Sequence, residues 1–180
     1  MKPISSDYPV DLNSMLSLFY EDPGELGVFA ESSAEEMPTT ARGLLAHEKH
    51  MTVTVENFHH SPVDVTVVRS RREHQFYSRE ILLRRRTDNA VVQYGIVRLN
   101  FDLLAPAVIQ EIESENKPLG KILIEHQVLR AVHLDRLYRV QPGPQLCELL
   151  GLSAPSELYG RTASILCDAE HAVELLEIVV

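Results

Sequence analysis

Apolar and polar positions alternate along several stretches of this chain, which is the period of strands with one buried face. Met51-Thr-Val-Thr-Val-Glu56 alternates and predicts a short strand. Phe58 to Pro62 reads as a turn. Val63 to Arg71 alternates again. Phe76–Arg84 and Ala90–Leu99 predict two more strands, joined at Thr87-Asp88-Asn89. Gln127 to Val140 predicts a long strand, broken by Pro142-Gly143-Pro144. Leu158–Cys167 and Ala172–Val180 predict a closing hairpin around Asp168-Ala169-Glu170.

Helical signals fall between the strands. A short helix is expected near 11–20, capped by Asp11 or Asn13 and followed by a loop. A second fits 40–49, entered after Pro38-Thr39-Thr40. Further helices are expected at 105–114, at 118–125 after Asn116 and Pro118, and as a turn at 145–150. Consecutive antiparallel strands with intervening helices give an α+β fold, mainly one antiparallel sheet.

Composition narrows the class without changing that picture. The chain has 180 residues, 44% hydrophobic and 24% charged, which suits one globular domain. The net charge of −9 argues against non-specific nucleic-acid binding. Residues 1–40 hold eight acids against one lysine, whereas 69–86 carries a net +5. This divides the chain into an acidic arm, 1–39, and a domain, 40–180. The arm is expected to cover the basic stretch. Two cysteines without a CxxC do not make a disulfide framework. No apolar run spans a membrane, and the N-terminus lacks a signal-peptide core, so a cytoplasmic setting is expected.

Two charges point the wrong way. One face of Phe76–Arg84 carries Tyr77, Arg79, Ile81 and Leu83. One face of Ala172–Val180 carries Val173, Leu175, Glu177 and Val179. Arg79 and Glu177 therefore lie on apolar faces, where a lone charge is costly. Either the two pair with each other, or they line a closed polar pocket. In a pocket the arginine fork grips an anion and the carboxylate accepts a hydroxyl or exchanges a proton.

At these residues the chain resembles the chorismate lyase family. The blocks occur in order: His47-Glu-Lys-His-Met51-Thr52, Ser78-Arg79-Glu80-Ile81-Leu82-Leu83, Lys117-Pro118-Leu119-Gly120-Lys121-Ile122-Leu123, Leu158-Tyr159-Gly160-Arg161 and Leu175-Leu176-Glu177-Ile178-Val179. They cover about residues 40–180. The resemblance implies an antiparallel sheet with helical flaps over a buried ligand pocket. It implies cofactor-free conversion of chorismate to 4-hydroxybenzoate and pyruvate, by elimination and aromatisation. Arg79 resembles the anchor of the benzoate carboxylate, and Glu177 the carboxylate facing the ring hydroxyl. Met51, Leu119 and Gly120 resemble lining residues of the ring pocket. Members in ubiquinone synthesis carry an arginine directly after the glycine of the fourth strand. Here Ile96 follows Gly95, and Arg98 is the candidate substitute. In this the chain resembles a divergent branch of that family.

The same fold serves the UTRA-type sensor domains of bacterial transcription regulators, so a non-catalytic module binding an aromatic acid is the alternative. Those domains follow a winged-helix domain, for which residues 1–40 are too short and too acidic. A small-molecule partner, chorismate or a related acid, is expected, with no nucleic acid, membrane, metal or cofactor. The oligomeric state is not set by the pattern. His47-Glu48-Lys49-His50 lacks the spacing of a zinc helix and reads as flap surface. His59-His60 read as solvated turn residues, His133 and His171 as strand residues, and Cys167 as core.

Overall fold

A computed structural model describes residues 9–128, 130–167 and 170–180 of the chain. Its centre is a seven-stranded sheet, every neighbouring pair antiparallel, in the order β1-β5-β6-β7-β4-β3-β2. The strands are β1 (Gly27–Ser32), β2 (Val63–Glu73), β3 (Phe76–Arg85), β4 (Val91–Asn100), β5 (Arg130–Pro142), β6 (Leu158–Cys167) and β7 (Glu170–Val179). The helices are α1 (Leu12–Ser17), α2 (Thr39–Leu45), α3 (Met51–His59), α4 (Pro106–Glu113), α5 (Leu119–Glu125) and α6 (Pro144–Leu150). This is the expected antiparallel α+β architecture. The turn expected around 168–170 falls largely on residues 168 and 169, which lie outside the described residues.

The sheet is covered on both faces. On one face, Tyr77, Val97, Leu99, Val173 and Leu175 pack under α4 and α5. Further along it, Ile81, Leu83 and Val179 pack under α2 and α3. On the other face, Leu82, Tyr94, Ile96, Leu176 and Ile178 pack against Met15 and Leu16 of α1 and Leu146 of α6. The central strands are thus buried on both sides, and the polar-out alternation fades there.

Two elements depart from the sequence expectation. Residues 51–56 form the start of α3, not a strand. Met51, Thr52 and Val55 are the buried positions, which is helical spacing. Packing of that stripe overrides the strand preference of the Thr-Val repeat. The helix runs to His59 and ends at His60 in the left-handed region, φ 48°. The expected turn at 58–62 therefore begins two residues late.

The second departure is β1, expected as loop. It joins the sheet edge, Gly27 opposite Pro142 and Ser32 opposite Leu137. Gly27 has φ 150°, and a Cβ there would stand 2.4 Å from the Gln141 carbonyl oxygen. Only glycine fits. Asp11 caps α1 by accepting from the Asn13 amide, as expected.

Among the described residues, the arm's contacts with the basic stretch are made by rings and backbone. Arg69 lies over the rings of Phe19 and Tyr20, and Arg71 donates to the Leu18 carbonyl.

Candidate functional site

Register builds the floor of a cavity from three strands. Arg79 on β3 stands opposite Val97 on β4, and Val97 opposite Leu175 on β7. One row along, Ile81 faces Gly95, Gly95 faces Glu177, and Glu177 faces Arg161 on β6. The next row holds Leu83, Gln93 and Val179. All these side chains share one sheet face. Gly95 leaves the centre of that floor open.

The roof is the first turns of α3 and α5. Lys49 to Thr52, together with Pro118 to Gly120, complete a cavity that is partly open to solvent. The two helices approach closely because residue 120 is glycine. A Cβ there would lie 3.1 Å from the Thr52 hydroxyl oxygen. Lys121 pairs with Glu56 at 2.6 Å across the same junction. The N-terminus of α3 adds a positive field at the cavity.

Arg79 is 1% exposed, and its Nε and Nη1 have no hydrogen-bond partner among the described residues. Burial pushes its pKa down, opposed by the charges of Tyr77 and Glu115. Glu115 is itself engaged, accepting from the Tyr77 hydroxyl at 2.6 Å. Among the described residues no carboxylate forms an ion pair with Arg79.

Arg79 and Glu177 line the same cavity but do not pair with each other. Glu177, 6% exposed, accepts from Arg161 Nε at 2.7 Å. Arg161 is fully buried and also donates to the carbonyls of Leu45, His47 and Lys49, at 3.2, 2.8 and 3.3 Å. It therefore bolts the α2–α3 loop to the sheet.

His47 belongs to this junction and not to an exposed flap helix. Its Nε2–H donates to the Leu44 carbonyl at 2.7 Å, and its Nδ1 accepts from the Lys49 amide at 3.1 Å. Burial first, then the Arg161 charge, hold its pKa below the usual histidine value.

Met51, Leu119 and Gly120, named through the family resemblance, lie in the lining of this cavity. Arg98 does not. It lies on the opposite face of β4, where it pairs with Glu174 at 3.2 Å and stacks on Phe76. The residue after Gly95 points to that face, and Ile96 packs there beside Tyr94. Strand alternation makes any residue at 96 or 98 unable to enter the cavity from this floor.

Two residues of the site were missed. Arg161 lies on the inward face of β6 with Ala163 and Ile165, and Gln93 on the inward face of β4 with Gly95 and Val97. The alternation that exposed Arg79 carries the same signal at both. Gln93 is 3% exposed, lines the cavity, and its Oε1 has no hydrogen-bond partner among the described residues. Among the described residues no cluster of His, Cys, Asp and Glu could hold a metal ion. No helix among them is long and apolar enough to cross a membrane.

No family model matches the chain, and no curated protein matches it in sequence. Solved structures share the fold. PhnF from Mycobacterium smegmatis superposes with a TM-score of 0.53 at 12% identity, over 71% of this chain and 62% of PhnF. The gene product SA0254 from Staphylococcus aureus gives 0.50 at 8% identity, over 66% and 83%. The ligand-binding domain assigned to a GntR-family transcriptional regulator from Bordetella bronchiseptica gives 0.49 at 12%, over 66% and 85%. The chain thus spans less than two thirds of PhnF. At these identities the likeness is one of fold.

Proposed function

We propose that this chain is a binding module for a small, largely apolar carboxylic acid, held between the sheet floor and α3 and α5. The observation that carries this is the desolvated guanidinium of Arg79, which has no carboxylate partner among the described residues and lines the same cavity as the Arg161–Glu177 pair. An uncompensated buried charge is expensive, and a ligand carboxylate supplies both the missing charge and two charge-assisted hydrogen bonds. Ile81, Leu83, Val97, Leu119, Val132, Ile165 and Leu175 give the rest of the cavity the character of a ring or short aliphatic site. The test is calorimetric titration with benzoate at neutral pH. Saturable binding, lost in Arg79→Met, is the expected result. Equal affinity in the variant overturns the anchor.

A second reading, chorismate pyruvate-lyase activity, draws on the presence of Glu177 in the same cavity. In that reading Arg79 fixes the ring carboxylate and Glu177 faces the ether oxygen that leaves with pyruvate. Loss of the ring proton and of the side chain aromatises the ring, so positioning and electrostatics suffice. The ion pair with Arg161 speaks for a fixed acceptor rather than a proton donor at 177. Chromatography of 4-hydroxybenzoate and pyruvate after incubation with chorismate decides between the readings. Stoichiometric products, absent with Arg79→Ala, establish the lyase, and binding without turnover leaves the module.

A further inference from the structure

We infer that β1 is an open sheet edge through which this chain pairs with a second copy of itself, antiparallel and centred on Ala30. The inference concerns the rim of the sheet and is independent of the ligand proposed for the cavity.

The two edges of the sheet are not alike. At one, β2 carries Arg69, Arg71 and Arg72 and a register shift between Val67 and Arg69. Charges and bulges of this kind keep an edge strand from pairing further. At the other, β1 has neither guard. Between Gly27 and Ser32 it holds no Lys, Arg or Pro, and its single charge, Glu31, is already paired with Arg136 of β5. Val28 is 68% exposed, the most exposed large apolar residue among those described.

Register identifies which backbone groups face outward. Antiparallel neighbours alternate between pairs that exchange hydrogen bonds and pairs that do not. The Gly143 amide donates to the Leu26 carbonyl at 2.8 Å, in the same register that sets Gly27 opposite Pro142. Leu26 therefore occupies a bonded position, and Val28, Ala30 and Ser32 share its phase. Pro142, which has no N–H, falls at an unbonded position, as this phase requires. Phe29 and Glu31 thus turn their N–H and C=O groups away from β5. Among the described residues no backbone group pairs with them.

That spacing is self-complementary. With Gly27 at φ 150°, the regular extended segment is 28–32, and its midpoint is Ala30. A two-fold axis at that point sets Phe29 opposite the partner's Glu31, and Glu31 opposite the partner's Phe29. Each such pair exchanges two hydrogen bonds, so the two pairs close four. Ala30 meets the partner's Ala30 at an unbonded position, where Cα atoms approach to about 4.5 Å and small side chains fit. Val28 lies against the partner's Ser32. Each Glu31 keeps its own Arg136, so no bare carboxylates are brought together. A second copy therefore brings a matching group to every position of this edge. So short a strand buries less than the ~1,200 Å² of a stable interface, and the dimer is weak, with a Kd of about 100 μM.

The experiment has two arms, both on the full chain. Sedimentation velocity between about 10 μM and about 1 mM is expected to show monomer passing to dimer. Ala30→Lys, which sets two ammonium groups opposite each other, is expected to remain monomeric throughout, with circular dichroism showing it folded. Cross-linking then reads the register. With oxidised glutathione as oxidant, Ala30→Cys is expected to give a disulfide-linked dimer that a reductant dissolves, since the Cα separation suits the bond. Val28→Cys is expected to give about tenfold less, because the two copies of position 28 lie about 13 Å apart. The unaltered chain, with Cys147 and Cys167 alone, sets the background. An unaltered chain that stays monomeric over the whole range overturns the inference, whether or not the variants fold. So does a dimer that Ala30→Lys leaves intact, or equal cross-linking at positions 28 and 30.

Discussion

Arg161 and Glu177 face each other across β6 and β7, 2.7 Å apart, and the same guanidinium holds the last carbonyl of α2 and two carbonyls of the α2–α3 loop. Removing one member leaves a buried charge without its partner, whereas removing both leaves an apolar site. Arg161→Met is expected to cost about 3–5 kcal/mol of stability. The double change Arg161→Met with Glu177→Leu should cost less than the single one. Urea unfolding of the unaltered chain, Arg161→Met, Glu177→Leu and the double variant checks this, and simple additivity would show that the pair is not coupled.

Arg79 behaves in the opposite way, because among the described residues no carboxylate forms an ion pair with it. Arg79→Met is expected to leave the ligand-free protein as stable or raise its melting temperature, while benzoate binding disappears. Thermal unfolding with and without benzoate separates the two effects. A fall in melting temperature of the ligand-free variant would mean that the guanidinium stabilises the apo fold.

His47 makes stability depend on pH. Its folded pKa lies below the unfolded value near 6.5, through burial and the Arg161 charge. The unfolded chain therefore binds more protons as pH falls through 6.5, and stability declines from there down to the depressed folded pKa. His59, lowered by burial and Arg85, adds a slope of the same sign. Melting temperatures between pH 7.5 and 5.5 should fall less steeply in His47→Gln than in the unaltered chain. Parallel curves would remove His47 from the linkage.

Behind Arg79, on the other face of β3, Glu80 is 1% exposed and accepts from Tyr20, from Tyr94 at 2.5 Å and from Arg69 at 2.6 Å. Burial, reinforced by Glu80, pushes the Tyr20 hydroxyl up to about 12 and the Tyr94 hydroxyl well above its ordinary value, so both remain donors. Tyr20→Phe removes a hydrogen bond to a charged acceptor and should cost about 1.5–3 kcal/mol. Limited proteolysis should then cut first near residues 18–26. An unchanged cleavage pattern would show that Tyr20 does not hold the arm.

Gly95→Ala tests the shape of the floor. The added methyl meets Ile81 and the Leu176 carbonyl at 3.3 Å. Affinity for ring acids is expected to fall by more than tenfold, with a smaller change in stability. Unaltered affinity would place the ring elsewhere in the cavity.

Much of this was legible in the sequence for one reason: strands flanked by turns keep their period. β2, β3, β4 and β6 lie within two residues of where alternation puts them, and the inward faces of Arg79 and Glu177 follow from it. The same periodicity holds at Gln93 and Arg161, but a glutamine or arginine in a long strand draws no notice until the faces of its neighbours are known. The partnership of Glu177 with Arg161, not Arg79, is a matter of strand order, which alternation does not encode. α3 was hidden by Thr-Val residues whose helical state depends on packing against the sheet. β1 was hidden by the Pro- and Gly-containing loop before it, because its pairing with β5 spans more than a hundred residues. Arg98 misled because it shares a face with position 96, and that face is the one away from the cavity.

Every residue of β3 from Tyr77 to Leu83 is buried. An oily ribbon of that kind has no wet side to tell it which way up to lie, and sliding by one residue would exchange its faces at little hydrophobic cost. The adjacent, oppositely charged Arg79 and Glu80 remove that freedom. A slip would press a guanidinium against Tyr20 and Tyr94 and a carboxylate into the anion cavity. The two charges act as registration marks for the central strand, and a chain in which both are made apolar should keep its stability and lose the uniqueness of its pairing.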